Sequence, residues 1–190
     1  LEQSESLKYI MCNKLRILIP LGGIGERFKK NGYVKPKALI NVMGKPILCW
    51  LLDNLIKYNE DIEIWIPYLG EEYDKYQFKN EIENKYRTIQ FVFFALERHT
   101  SGAAETILIM LNHIEKLNKC DSPVLCMDGD NFYNCDIIGK WNKNNMIFSF
   151  EDKGKDNIYS YIGIEDKKVK QIIEKEKISN FACTGCYGFY

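Results

Sequence analysis

Apolar residues along this chain come in short runs separated by polar turns, and the period changes from run to run. The run from Leu15 to Leu21 has the density of a buried strand, and it leads into three glycines within four positions, Gly22, Gly23 and Gly25. Ile47, Leu48, Leu51, Leu52, Leu55 and Ile56 then recur at helical spacing. Residues 62–66 predict a second strand, the polar Glu- and Tyr-rich segment from Glu71 to Lys85 a surface helix, and residues 89–95 a third strand. Ala103, Ala104, Ile107, Leu108, Leu111 and Ile114 predict one face of a helix that follows Gly102. Residues 124–127 form a fourth, buried strand leading into Asp128. Beyond Met146 the pattern shortens to strands over 146–150, 159–164, 169–173 and 181–189, with turn residues between them.

Strands alternating with helices predict a three-layer, Rossmann-like α/β domain: a mostly parallel sheet with helices on both faces and a mixed or antiparallel extension at the C-terminal side. Residues 1–190 read as one domain, with 1–13 a tail, 14–145 the core and 146–190 the added strands; there are no repeats and no low-complexity linker. In such sheets ligands lie beyond the carboxyl ends of the strands. Gly22 and the segment Asp128 to Asp130 both fall there, so they are expected to converge.

Composition narrows the partners more than the fold. Lys plus Arg and Asp plus Glu balance at 26 each, which leaves no basic footprint for nucleic acid. No apolar run approaches a membrane span, and the polar start Leu1-Glu2-Gln3-Ser4-Glu5-Ser6 lacks a secretory apolar region, so the chain reads as cytoplasmic. Seven cysteines, at 12, 49, 120, 126, 135, 183 and 186, sit mostly in apolar segments and read as small hydrophobes. Cys183-x-x-Cys186 has no second pair to complete a zinc site, and packing is the preferred reading there.

The chemistry concentrates in Ile19-Pro20-Leu21-Gly22-Gly23-Ile24-Gly25-Glu26-Arg27-Phe28, followed by Lys35-Pro36-Lys37-Ala38-Leu39. Glycines remove the side chains that would keep a ligand off the backbone, so N–H groups can face phosphate oxygens. Arg27 offers a planar fork for bidentate phosphate contacts, and Lys37, behind a rigid proline, a compact point charge. The spacing matches neither the dinucleotide fingerprint nor the Walker loop. A purely structural turn is the competing reading.

With Gly44-Lys45-Pro46, this segment resembles the signature of the sugar-1-phosphate nucleotidyltransferases, of which glucose-1-phosphate thymidylyltransferase is a familiar type. Four later segments agree in the family's order. Ser101-Gly102-Ala103-Ala104-Glu105-Thr106 is similar to its segment near the nucleotide, and Met127-Asp128-Gly129-Asp130-Asn131-Phe132-Tyr133 to its metal site. Glu174-Lys175 is similar to its sugar-phosphate pair, and Ser179-Asn180-Phe181-Ala182-Cys183-Thr184-Gly185-Cys186-Tyr187 to the strand bordering its sugar pocket. The resemblance implies an enzyme that joins a nucleoside triphosphate to a sugar 1-phosphate and releases pyrophosphate. It assigns Leu21, Gly22, Gly23, Gly25 and Gly102 to the nucleotide, and Arg27, Lys37 and Asp130 to catalysis. It assigns Mg²⁺ to Asp130 with Asp128, and the sugar phosphate to Glu174, Lys175 and Asn180.

The chain departs from the family at three positions: Glu176 stands where proline usually follows Glu-Lys, Ser160 stands for a glycine, and Pro20 for an aliphatic residue. The resemblance also implies that the domain continues beyond Tyr190 and supplies a second metal-binding aspartate there, so a truncated chain is expected, with a further domain or a homo-oligomer as partner. Bland readings compete at each position. Asp128-Gly129-Asp130 is also a turn sequence, Glu174-Lys175 lies in a charged run typical of solvated faces, and Arg98 and His99 suit a surface loop as well as a triphosphate. Three other functions stay open: a cytidylyltransferase acting on phosphocholine or another small phosphate, a glycosyltransferase using the Asp-x-Asp device, and a non-catalytic nucleotide-sugar-binding regulator.

Overall fold

A computed structural model describes residues 14–58, 61–116 and 123–190 of the chain; the expected tail at 1–13, with Cys12, and Cys120 lie outside them. The strands are β1 (Leu15–Leu18), β2 (Asn41–Val42), β3 (Lys45–Pro46), β4 (Ile62–Leu69), β5 (Gln90–Leu96), β6 (Val124–Met127), β7 (Met146–Glu151), β8 (Ser160–Glu165), β9 (Lys168–Glu174) and β10 (Phe181–Phe189). The helices are α1 (Glu26–Lys30), α2 (Ile47–Tyr58), α3 (Gly70–Tyr73), α4 (Phe78–Lys85) and α5 (Ala103–Lys116), with 3₁₀ turns at Lys37–Leu39 and Asp74–Tyr76.

The main sheet has the order β5-β4-β1-β6-β10-β8-β9, with β7 also paired to β10. From β5 to β6 neighbours run parallel, and β10 runs antiparallel to β6, β7 and β8. Parallel strands covered on both faces must be apolar on both faces, and β4 is buried at all of its positions. Ile17, Ile64 and Leu125 join the core that contains Leu48, Leu52 and Leu55 of α2 and Ile82 of α4. Leu18, Trp65 and Cys126 join a second core with Met110 and Ile114 of α5. Each fully buried leucine of α2 contributes about 1.5–3 kcal/mol, so packing rather than helix propensity holds that helix in place.

At the end opposite the candidate site, Glu63 is buried beside Arg16, and both of its carboxylate oxygens accept hydrogen bonds, from Trp65 Nε1 at 2.7 Å and Gln90 Nε2 at 2.8 Å. A buried charge so well partnered fixes the register of β1, β4 and β5. No helix among the described residues is long and apolar enough to cross a membrane.

Three expectations are corrected. The opening strand pairs on both sides only to Leu18; beyond it Ile19 and Leu21 still donate to Trp65 O and Pro67 O of β4, at 2.9 and 2.8 Å. The intervening Pro20 has no N–H for the β6 side, so β1 and β6 part at their carboxyl ends. The segment from Glu71 to Lys85 is a broken helix, interrupted by Gln77 at φ 49°, and it buries Tyr73, Phe78 and Ile82. On α5 the buried stripe is Thr106, Met110 and Ile114, with Leu108, Leu111, Ala103 and Ala104 exposed. The Thr106 hydroxyl meets that of Thr100 at 2.6 Å, so a polar side chain turns inward and rotates the helix away from the leucines.

Gly188 of β10 lies under the Trp141 ring, where an added Cβ would sit 2.6 Å from Cε2. Gly188→Ala is expected to cost about 1–3 kcal/mol through overpacking and to lower Tm by several degrees in thermal unfolding. An unchanged Tm contradicts this packing.

Candidate functional site

Two loops leave the parting strands and face each other. Residues 22–25 follow β1, and the first two glycines serve different ends. A Cβ on Gly22 would lie 2.8 Å from Thr100 Oγ1 and 3.1 Å from Leu96 Cδ1, so Gly22 lets the loop pack onto the turn before α5, and its carbonyl accepts the Thr100 N–H at 3.3 Å. Gly23 is exposed, with open space around it, as is Gly102 across that turn. These two leave backbone bare to an approaching ligand. Gly25 takes φ 63° ahead of α1, against the Cβ of Lys37. Leu21 is buried, with both backbone polar groups bonded to β4 and its side chain against Gly129, so it holds the two loops together.

The second loop carries the carboxylates. Asp128 directly follows the buried strand β6 and is half-buried, and its backbone N–H donates to Gly185 O at 2.9 Å. Burial first, then the neighbouring charge of Asp130, push its carboxyl up to about 6, against a smaller downward pull from Lys37. Gly185 in β10 has φ 70°, and a Cβ there would fall 2.8 Å from Asp128 Cγ. Asn131 Nδ2 donates to Thr184 O at 2.6 Å and the Tyr133 hydroxyl to the same oxygen at 3.1 Å, which clamps the carboxylate loop to β10. Thr184, Gly185 and Tyr133 thus belong to the site, and a glycine inside an apolar strand was the available signal.

The loops meet through Lys37, whose ammonium pairs with Asp130 across the cleft. Both side chains are over a third exposed. A pair in that setting contributes at most about 1 kcal/mol to stability, which makes the fold a poor explanation for it. The cleft has a volume of about 1350 Å³. Arg27 stands exposed in it and makes no ion pair among the described residues. Phe28, Tyr33, Met43, Trp50 and Phe132 form an apolar wall that periodicity did not reveal. Trp50 is pinned by Lys45, whose ammonium lies 3.6 Å above its ring and pairs with Asp53, and by its own N–H on Val42 O at 2.9 Å.

Other expected residues lie elsewhere. Glu174 and Lys175, at the end of β9, pair with each other at 3.1 Å in an exposed setting, and neither they nor the exposed Asn180 line this cleft. In the same charged run Lys177 is the anchored one, donating to Gly154 O at 2.7 Å and Asp152 O at 3.0 Å. Arg98 pairs with Glu105 at 2.8 Å. The Ser101 N–H and then Arg98 lower the Glu105 carboxyl to about 2, bracing the turn that ends at Gly102. Cys183 and Cys186 are buried thiols, that of Cys186 pushed up by burial, and no group of three or more His, Cys, Asp or Glu is placed to hold a metal among the described residues.

Comparison with known proteins bears on the family and the fold. The family model described as nucleotidyl transferase matches residues 17–190. UTP--glucose-1-phosphate uridylyltransferase AglF of Haloferax volcanii is 26% identical over 185 residues, covering 92% of this chain and 72% of that one. The nucleoside-diphosphate-sugar pyrophosphorylase from Vibrio cholerae superposes with a TM-score of 0.75 at 25% identity, over 91% of this chain and 72% of that one. The inositol-1-phosphate CTP transferase from T. maritima shares the fold, with a TM-score of 0.72 at 11% identity over 92% of this chain and 69% of that one.

Because Asn131 and Tyr133 donate to one carbonyl, their losses are expected to be non-additive. Asn131→Ala or Tyr133→Phe alone leaves Thr184 O a donor, whereas the double variant leaves it bare and costs about 1–3 kcal/mol beyond the sum of the singles in a denaturant double-mutant cycle. Simple additivity contradicts the clamp.

Proposed function

The chain belongs to the nucleotidyl transferase family, and we propose that it transfers a nucleoside monophosphate from a nucleoside triphosphate to a sugar 1-phosphate, giving a nucleoside-diphosphate sugar and pyrophosphate. The observation that carries this reading is the meeting of Gly25, Arg27 and Lys37 with Asp130 in one cleft at the carboxyl ends of β1 and β6, with Asp128 near enough to feel the charges of both Asp130 and Lys37. A phosphate oxygen of the sugar attacks the α-phosphorus, and the bond from that phosphorus to the bridging oxygen of pyrophosphate breaks. Two polyanions must be brought together, so charge neutralisation and positioning are the contributions required of the protein. A phosphate monoester is already an anionic nucleophile, and no general base is needed.

Arg27 grips phosphate oxygens with its fork, and Lys37 neutralises the departing pyrophosphate. Gly23, Gly25 and Gly102 admit the nucleotide to the backbone, and Gly22 and Leu21 hold the loop that presents it. Two carboxylates side by side, one of them half-buried and reluctant to ionise, suit a hard divalent cation such as Mg²⁺, which Asp130 would hold with Asp128. When bound, it supplies charge stabilisation to the phosphates. Glu174, Lys175 and Asn180 stand outside this cleft, and their assignment to the sugar 1-phosphate rests on the resemblance alone. Both proposed substrates are water-soluble, which is compatible with the cytoplasmic reading of the chain. The named substrates of the Haloferax relative, UTP and glucose 1-phosphate, are the first pair to test.

Incubated with Mg²⁺, each nucleoside triphosphate, a panel of sugar 1-phosphates and phosphocholine, the protein is expected to release pyrophosphate with a sugar 1-phosphate. Lys37→Ala and Asp130→Asn should lower turnover by about 10²–10³-fold with Tm unchanged, and Arg27→Lys should also lower it, because a point charge does not replace a fork. Release only with phosphocholine assigns a different acceptor, and release with no pair removes the reading.

A further inference from the structure

The ion pair at the centre of the cleft joins a residue proposed to hold phosphate to one proposed to hold a cation. We infer that Lys37 acts as a tethered cation on Asp130, so that divalent metal and triphosphate each bind weakly alone and strengthen one another; the inference rests on the function proposed above.

Asp128 and Asp130 stand two positions apart, and the group in contact with Asp130 is the Lys37 ammonium. The residue follows Pro36 at the start of a 3₁₀ turn, its Cβ lies against Gly25, and its Nζ lies 5.5 Å from the centre of the Phe28 ring. Held there, it occupies the carboxylate that a divalent cation needs. A metal arriving alone must share Asp130 with a positive charge already in contact with it, and no third acidic, His or Cys ligand joins the carboxylates among the described residues. A triphosphate arriving alone meets the mirror problem, because the lysine it needs is already paired with Asp130. Bound together, each ligand removes the other's obstacle: phosphate oxygens give Lys37 a new partner, and the metal neutralises the carboxylates. Coupling of this kind is reciprocal by thermodynamic necessity.

Arg27 provides the control. It lines the same cleft with the same charge, yet makes no ion pair among the described residues. If the effect were only the general field of the cleft, removing either cation would act alike.

The test measures Mn²⁺ binding to the nucleotide-free protein by the loss of the free-ion paramagnetic resonance signal. Lys37→Met is expected to bind Mn²⁺ about threefold to tenfold more tightly than wild type, and Arg27→Gln to remain within about twofold. The reverse arm titrates inorganic triphosphate calorimetrically in chelator. Asp130→Asn, although impaired in turnover, should bind it several-fold more tightly than wild type, while Asp128→Asn, folded by circular dichroism, should not. Unchanged Mn²⁺ binding in Lys37→Met, or equal gains in Arg27→Gln, overturns the inference, as do equal gains in the two aspartate variants. These outcomes in a protein that still releases pyrophosphate sink the coupling alone. A protein that releases none with any substrate pair removes the proposed function and the coupling with it.

Discussion

A half-buried carboxylate set beside a second one is the constraint from which the rest of this site follows. Asp128 is drawn partly out of water because it directly follows β6, a buried strand between β1 and β10. Its ionised form is disfavoured there by lost hydration and by Asp130. Nothing in the packing of a nucleotide-binding sheet demands such an arrangement. The surroundings are shaped to tolerate it: Gly185 yields the volume a side chain would take, Asn131 and Tyr133 fasten the loop, and Lys37 supplies an opposing charge.

The sheet explains why these parts meet. Parallel β1 and β6 deliver both loops to one end, and Pro20 ends their pairing early enough for the loops to separate. Antiparallel β10 then enters beside β6, so that its irregular stretch around Gly185 passes under the carboxylates. One side of the cleft is therefore built from Gly25, Arg27 and Lys37, in the segments that follow β1, and the other from Asp130, whose loop is supported by a strand that comes far later in the chain.

Much of this was legible in the order of the residues. Parallel strands inside a covered sheet are rich in apolar residues, so β1, β4, β5 and β6 were readable with errors of a few residues at their ends, even with Arg16 and Glu63 inside two of them. The loops after β1 and β6 carried charged groups in a spacing that resembled a known family, and Lys37 and Asp130 do meet. Orientation was less legible. Leu108 and Leu111 have the spacing of a core face, yet the partner available to Thr106 decided which side of α5 turned inward. Gln77 breaks a helix without being a breaker by type, because burying Tyr73 and Phe78 together requires the chain to change direction between them. Glu174 and Lys175 are adjacent in sequence to an anchored lysine, and adjacency does not say which member of a charged run faces inward.

The position of β10 has a consequence for how the protein is made. Fifty-three residues separate Asn131 from the carbonyl it grips, and the strand bearing that carbonyl lies between β6 and the β8–β9 hairpin. During synthesis, β6 and β8 must wait with open edges until residues 181–189 emerge, and open edges invite pairing with other chains. A nascent polypeptide of this kind therefore passes through a vulnerable interval in which the parallel half can already be folded. Slowed translation across the stretch before Phe181 would lengthen that interval and raise the demand for chaperones.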